Sequence, residues 1–511
     1  MEHPSSSFER RESRNGTLIK SAIFFKKLFR SEGKKFVKSR IKRTSIIATL
    51  GPSSNDKDTI YKMVQEGVNV FRLNFSHGTH AEHAELIHII REVEFDIKQP
   101  IGILGDLSGP KIRIGKFENG QILLKEGDAF QITIDPETVG TQQQVSTTYE
   151  YLVRDLTPGD KILLDDGKLT LIAESKTHNA VNFRVLEGGI LKDKKGMNMP
   201  GVPLSIDSIT EKDKADFKFI LEHELDFAAL SFVRSAECIN ELRSLAHDTD
   251  IQIVAKIEKP EALSDLDSII DVSDVIMIAR GDLGVELPIE RVPAIQKDII
   301  ARCRAKSIPV ITATQMLESM ISSSRPTRAE TTDVFNAIVD GTDAVMLSGE
   351  TASGAYPVLS VKMMTAIAKE AEETLENNPN QTVSLKTGVK RSIANTVALT
   401  ACQSAIDLKA KAIVALTKLG TTARRISNYH PPLPLVALST SKKICRRMTL
   451  YYGVIVVPVP ELYNTDEIFL ECERAIRNFG LAKYGDIAII VAGIPMGDEG
   501  NTNLIKIHQL K

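Results

Sequence analysis

The sequence predicts an α/β protein: a (β/α)8 TIM barrel with an inserted small β-barrel domain and a C-terminal doubly wound α/β domain. Three observations lead there. Eight short β-branched runs alternate with helical stretches between residues 45 and 347. Polar residues gather at the C-terminal end of each run, the end at which such barrels carry their chemistry. The alternation is interrupted between Asp106 and Phe227, and gives way to a new pattern after residue 376.

The runs expected to form barrel strands are Ser45–Leu50, Val68–Asn74, Ile101–Asp106, Phe227–Val233, Ile251–Ile257, Val275–Ala279, Pro309–Thr314 and Ala344–Leu347. Each is apolar along most of its length, as parallel strands buried on both faces are. Helical stretches between them include Asp56–Glu66, His80–Val93, Pro260–Val272, Val292–Lys306 and Arg328–Val339. The interruption, residues 111–204, reads as short strands with turns: Gln121–Leu124, Ala129–Ile134, Lys161–Leu164, Leu169–Ile172 and Val181–Val185. Asp165-Asp166-Gly167 is a hairpin signal. Pro200-Gly201-Val202-Pro203 suits a hinge on the way back. Asn377-Asn378-Pro379-Asn380 reads as a linker. Helices 391–410, 421–430, 441–451 and 465–479 then alternate with strands Ala412–Leu416, Leu435–Ser439, Val454–Val457 and Ile487–Val491, and Leu504–Ile507 closes the chain. The expected division is a basic extension (1–42), a barrel (43–110 and 205–376), an insert (111–204) and a C-terminal domain (377–511).

With 42% hydrophobic and 25% charged residues, the 511-residue chain has an ordinary globular composition. No run approaches the ~20 apolar residues that a membrane span needs. Five scattered cysteines without a C-x-x-C pair argue against a disulfide framework or zinc site and for a reducing, cytoplasmic setting. The net charge of −2 is unevenly spread. Residues 1–43 hold thirteen Lys/Arg against four Glu, a net +9, which leaves −11 for the remainder. Ile19, Ala22, Ile23, Phe25, Leu28 and Phe29 fall near helical spacing, so part of this extension reads as an amphipathic helix. It suits packing on the body or a neighbouring subunit. Organellar import is the lesser reading, since three acids fall within the first twelve residues; nucleic-acid or membrane contact is another.

The chemistry concentrates at strand ends. Ala255-Lys256-Ile257-Glu258 and Ala279-Arg280-Gly281-Asp282 close two consecutive strands. Residues two apart in a strand share a face, so Lys256 and Glu258 point the same way. Glu258 and Asp282 are hard oxygen donors suited to magnesium, which takes one or two carboxylates and leaves room for water and substrate. Lys256 can neutralise a transferring phosphoryl group or an enolate. A buried structural salt bridge is the competing reading. Arg72, Asn74 and Ser76 alternate and face one site if their strand extends so far. A guanidinium fork, an amide and a hydroxyl suit a phosphate and a coordinated cation; ion pairing at the barrel mouth would explain them equally. Thr314 offers a hydroxyl to the mouth, whereas Thr312 is read as simple strand preference. Gly105-Asp106-Leu107-Ser108-Gly109 has no nucleotide-loop spacing. A nucleotide site must therefore rest on basic residues such as Arg113 and Lys194-Lys195, although the lysine pair also suits a solvated turn.

Taken together these stretches resemble the pyruvate kinase family: RLNFSHG (72–78), GDLSGPKIR (105–113), KIEKPEAL (256–263), ARGDLGVE (279–286), TATQMLESM (312–320), RPTRAE (325–330) and MLSGETA (346–352) stand in that family's order. The resemblance covers residues 43–511. It implies transfer of a phosphoryl group from phosphoenolpyruvate to ADP in the last step of glycolysis, a lid formed by the insert, a C-terminal effector domain and a homotetramer. It implies no nucleic-acid or membrane partner. Arg72 would bind the transferring phosphate. Asn74, His77, Arg113 and Lys195 would border ADP or ATP. Lys256 would stabilise the phosphoryl transition state, and Glu258 and Asp282 would bind Mg2+, with Mn2+ a substitute. Gly281, Asp282 and Thr314 would line the phosphoenolpyruvate/pyruvate site, and Thr314 would help deliver a proton through water.

Many members need K+, held by oxygens equivalent to those of Asn74, Ser76, Asp106 and the Leu107 carbonyl. Here Lys111 takes the place of a supporting glutamate, and Leu107, Ser108 and Ile114 also match the K+-independent branch. That implies a tethered ammonium in place of the free ion. Thr417, Lys418, Gly420, Thr421 and Thr422 resemble the family's sugar-phosphate effector loop. Leu419 departs from the hydroxyl residue common there. The late loop Gly493-Ile494-Pro495-Met496-Gly497 lacks the arginine of bisphosphate-activated relatives, which favours a monophosphate effector. Two rival functions are a metal-dependent aldolase or lyase working through a pyruvate enolate, and a non-catalytic binding protein. The basic residues of the insert speak against the first. Lys256, Glu258, Asp282 and Thr314 together speak against the second.

Overall fold

A computed structural model describes residues 41–247, 249–377, 392–462, 464–494 and 501–511. The amphipathic helix read in the extension, the linker beyond Asn377 and residues 495–497 of the late loop lie outside these.

Eight parallel strands close into a barrel: Ser45–Thr49, Val70–Asn74, Gly102–Asp106, Phe227–Leu230, Gln252–Ile257, Val275–Ala279, Val310–Ala313 and Ala344–Leu347. Side chains alternate between two apolar layers, as period-two strands require. Ile47, Val70, Leu104, Ala229, Val254, Ile311 and their neighbours fill the interior. Ile46, Phe71, Ile103, Ala228, Ile253 and Val310 pack beneath the helices. This alternation decides what reaches the mouth. Thr49, Arg72, Asp106, Ser231 and Lys256 each follow an interior residue by two positions.

Three expectations are corrected. The fourth strand stops at Leu230 rather than Val233, because Phe232 adopts a left-handed backbone, φ 54°. The seventh stops at Ala313, because Thr314 and Gln315 are both left-handed, φ 65° and 52°. Helix Pro260–Val272 is two helices, Pro260–Ser264 and Leu266–Val272, interrupted at Asp265.

The insert folds around one apolar core. Its six-stranded sheet runs in the order Met197–Asn198, Lys161–Leu164, Leu169–Lys176, Ala180–Glu187, Ala129–Thr133, Gln144–Ser146. A ribbon pairs Gln121–Leu124 with Gly189–Lys192. Strands Gln144–Ser146, Gly189–Lys192 and Met197–Asn198 were not anticipated; they are short and partly polar. Asp165-Asp166-Gly167 does join antiparallel strands, with all three residues left-handed. On the return, Arg234 donates to the carbonyls of Leu204 and Ile206, both at 2.8 Å.

The C-terminal sheet has the order Val454–Pro458, Leu435–Ser439, Ala412–Leu416, Ile487–Ala492, Leu504–Gln509, with only the last strand antiparallel. Apolar clusters lie on both its faces, the doubly wound arrangement. This domain closes the barrel floor. Leu450 joins the interior cluster, Ser45 donates to the Thr449 carbonyl at 2.7 Å, and Arg446 forks onto Glu94. Among the described residues no helix is long and apolar enough to cross a membrane.

Candidate active site

Lys256 is the centre of the mouth. It follows interior-facing Val254 by two residues, and is buried. Its ammonium reaches Ser231 Oγ at 2.7 Å, Glu258 Oε1 at 2.9 Å and Asp106 Oδ1 at 3.2 Å. Three donors thus meet three oxygens. Burial alone would lower the lysine's pKa, but Asp106 and Glu258 outweigh it and hold the value above the usual lysine range. Lys256 is therefore a fixed cation at any physiological pH.

Arg72 stands beside it. Its Nε donates to Asp106 Oδ2 at 2.6 Å and its Nη1 to Thr49 Oγ1 at 3.0 Å. Neither contact uses Nη2, which leaves one edge of the fork for an anion. Burial works to raise the pKa of Asp106, but Lys256 and Arg72 prevail and hold it low. Glu258 behaves oppositely. Burial raises its pKa, and the neighbouring Asp282 charge adds to that against the pull of Lys256. Its second oxygen accepts the Phe232 N–H at 2.8 Å.

Asp282 lies in the first turn of the short helix Arg280–Glu286 rather than on the strand. The left-handed step at Thr314 turns its hydroxyl toward that helix. Oγ1 accepts the Gly281 N–H at 2.7 Å and donates to the Ala313 carbonyl at 2.6 Å. One lone pair stays available. Arg280, from the same run, is structural: it pairs with Asp333 at 2.7 Å and donates to the carbonyls of Thr314 and Gln315. Thr312 faces outward, fully buried against Thr342 Oγ1 at 3.0 Å.

The strand carrying Arg72 ends at Asn74, so Ser76 does not continue its face. Ser76 is exposed and its N–H donates to Asn74 Oδ1 at 3.1 Å. His77 is exposed too, and its backbone is held by His83, whose ring lies 3.0 Å from the His77 carbonyl. The Leu107 carbonyl accepts the Ser231 hydroxyl at 2.8 Å. In the insert, Arg113 donates to the Lys194 carbonyl at 3.0 Å; Lys194 is exposed in a left-handed turn, in line with the solvated-turn reading, whereas Lys195 pairs with Asp165 at 2.7 Å. Lys111 is exposed. It lines a cleft between insert and barrel together with Asp166, Asn198, Arg234, Lys259 and Asp282.

Ser231 is the member that sequence reasoning missed. It touches Lys256 directly, and lies 3.5 Å from Asp106. Its signal was position: a hydroxyl two residues past interior-facing Ala229, at a strand's C-terminal end.

Far from the mouth, Thr417 is buried and its N–H donates to the Leu438 carbonyl at 3.0 Å. Left-handed Gly420 precedes helix Thr421–Ser427. The buried hydroxyls of Thr422 and Thr502 bond each other at 2.7 Å, so Thr422 is not wholly available to a ligand.

A buried cation among carboxylates can serve stability alone. Comparison with known proteins decides the family. The model described as pyruvate kinase, barrel domain, matches residues 41–361, and that described as pyruvate kinase, alpha/beta domain, matches 395–508. The chain belongs to the pyruvate kinase family. Pyruvate kinase 2 of Synechocystis sp. is 44% identical over 476 residues, 92% of this chain and 80% of the relative. The pyruvate kinase of Geobacillus stearothermophilus is 45% identical, over 91% of this chain and 80% of its own. That of Clostridium perfringens is 41% identical over its full length and 92% of this chain. Among solved structures, a pyruvate kinase from Cryptosporidium parvum superposes with a TM-score of 0.87 at 36% identity, covering 92% of this chain and 96% of that one.

Pyruvate kinases use Mg2+, and the donor set fits it. Among the described residues no three His, Cys, Asp or Glu side chains converge as a self-sufficient metal cage. Magnesium needs none, because water and substrate oxygens complete its octahedron. The five charged groups Arg72, Lys256, Asp106, Glu258 and Asp282 sum to −1. Burial, and after it the Asp282 charge, push the Glu258 pKa up against the pull of Lys256, and a divalent cation held by the two carboxylates would oppose that push.

Proposed function

We propose that the chain transfers the phosphoryl group of phosphoenolpyruvate to ADP at the mouth built around Lys256. The P–O bond to the enol oxygen breaks as a new one forms to the terminal ADP phosphate. The enolate left behind takes a proton at carbon three, giving pyruvate and ATP. Arg72 presents its unused Nη2 edge to the phosphoryl oxygens. Lys256 exchanges one carboxylate contact for the same oxygens and then faces the enolate. When bound, magnesium on Glu258 and Asp282 supplies positive charge beside them. Gly281 and Asp282 bound the carboxylate end, and the Thr314 hydroxyl hands on a proton through water. Asn74 and His77 from the barrel, with Arg113 and Lys195 from the insert, flank the nucleotide. Closure of the insert excludes water.

The observation that carries this reading is the Lys256 ammonium held between Asp106, Glu258 and Ser231. A coupled assay of pyruvate formation from phosphoenolpyruvate and ADP, with Mg2+ or Mn2+, tests it. Absence of pyruvate under saturating substrates overturns it.

We further propose that residues 43–110 with 205–376 act as the catalytic domain, 111–204 as the lid and 377–511 as the effector domain of a cytoplasmic homotetramer. Membership of the K+-independent branch is part of this proposal; Lys111, exposed and lining the cleft that Asp282 also lines, supports it. The loop Thr417–Thr422 is the effector site, and a sugar monophosphate or AMP suits it better than a bisphosphate. Titrating each compound at subsaturating phosphoenolpyruvate is expected to give activation by the monophosphates. Activation by fructose 1,6-bisphosphate alone reverses that ranking.

A further inference from the structure

Beside the catalytic carboxylates lies a second buried cluster that the reaction does not use. Lys259, the residue after Glu258, pairs with Glu286 at 2.5 Å, and both are buried. Glu286 closes the helix that begins at Arg280 and holds Asp282, one turn earlier. The third member comes from the insert: the Asn198 amide donates to the same Glu286 oxygen at 2.8 Å. The Lys259 ammonium also sits 5.7 Å from the ring centre of Phe232, whose N–H holds Glu258. The cluster therefore abuts both proposed metal carboxylates and joins two domains.

The sequence of the insert explains why Asn198 points outward. Met197 and Met199 are buried in the insert's core, so the residue between them must project away from it. The hairpin of the insert also runs close to the same helix. A Cβ built on left-handed Gly167, in the hairpin, would lie 3.9 Å from Val285 Cγ1. That hairpin also carries Asp165, the partner of Lys195. The insert thus touches the end of this seven-residue helix through Asn198, with the hairpin passing nearby.

We propose that Asn198, Glu286 and Lys259 form the latch that seats the lid, and that Asn198 is a positioning residue for the nucleotide half of the reaction. The proposal rests on the pyruvate kinase reading of the mouth. The Lys259–Glu286 pair is a neutral, buried base within the barrel, and Asn198 adds an uncharged donor that docks without bringing further charge into it. Arg113 and Lys195 travel with the lid, whereas Arg72, Lys256, Glu258 and Thr314 belong to the barrel. Loss of the latch should therefore weaken phosphoryl transfer and spare chemistry that the barrel performs alone.

Asn198→Ala removes the contact and leaves the buried ion pair intact. Asn198→Asp sets a second carboxylate against Glu286. In the full-length protein, kcat/KM for ADP is expected to fall about tenfold for the alanine variant and further for the aspartate variant, the scale on which misplaced groups cost rate. Exchange of pyruvate methyl protons in deuterated water, with magnesium and inorganic phosphate, reports barrel chemistry and is expected to stay within about threefold. Limited proteolysis without ligands should release the 111–204 segment about fivefold faster, because a seated lid protects its connections. Unchanged transfer, or transfer and exchange falling together at an unchanged melting temperature, overturns the latch. So does unchanged proteolysis. If the wild-type chain makes no pyruvate from phosphoenolpyruvate and ADP, the functional reading fails, and proteolysis alone then decides the latch.

Discussion

Lys256→Met is expected to abolish turnover while leaving the binding of magnesium and phosphoenolpyruvate largely intact. The ammonium stands where charge develops, between Asp106, Glu258 and Ser231. A group whose interactions strengthen in the transition state affects rate more than ground-state affinity. Removal of one such preorganised donor commonly costs about 10²-fold or more in kcat. Because its pKa is held above the ordinary lysine range, Lys256 stays charged throughout the working pH range. The activity it supports should show no alkaline limb from its own titration below about pH 10. Single-turnover kinetics beside equilibrium binding of phosphoenolpyruvate separate the two effects. A variant with near-normal kcat would show that Lys256 is not the electrophile. Since the methionine leaves Asp106 and Glu258 buried without their shared cation, its melting temperature should be measured alongside.

The second large effect concerns monovalent cations. The wild-type chain is expected to retain substantial activity without K+, and Lys111→Glu to become dependent on it. The substitution changes the local charge by two units. At ~6 Å and an effective dielectric of ~20, each unit is worth about 3 kcal/mol before screening. Lys111 is exposed and has no ion pair among the described residues, so the exchange strands no buried partner. Rates in tetramethylammonium and potassium salts at equal ionic strength make the comparison. A wild-type enzyme nearly silent without K+ sinks the idea.

Much of this was legible from residue order because burial on both faces makes barrel strands apolar from end to end. All eight runs contain the observed strands or match them, and Lys256 and Glu258 do share a face. What escaped was set by long-range contacts. Phe232 and Thr314 take left-handed backbones that no propensity would assign to an aromatic or a β-branched residue. They end their strands early and re-aim the chain. Ser231 was hidden for a related reason: its importance comes from Lys256, twenty-five positions away. Arg280 closes a barrel strand where a mouth residue belongs, yet its guanidinium group fastens a loop, as that of Arg234 does. The short strands of the insert carry too few residues to establish a period.

The doubled left-handed step at Thr314 and Gln315 has a bearing on how this protein could be improved. A β-branched residue there costs on the order of 1–3 kcal/mol and persists only because its surroundings impose it. Here Arg280, anchored on Asp333, grips both carbonyls. Glycine at position 314 would relax the backbone and delete the hydroxyl that meets Gly281. A laboratory selection that rewarded heat resistance alone would therefore drift toward glycine at this position and discard the group proposed to hand on the proton. Selection for turnover would hold the threonine in place, along with Arg280, whose guanidinium fixes its backbone.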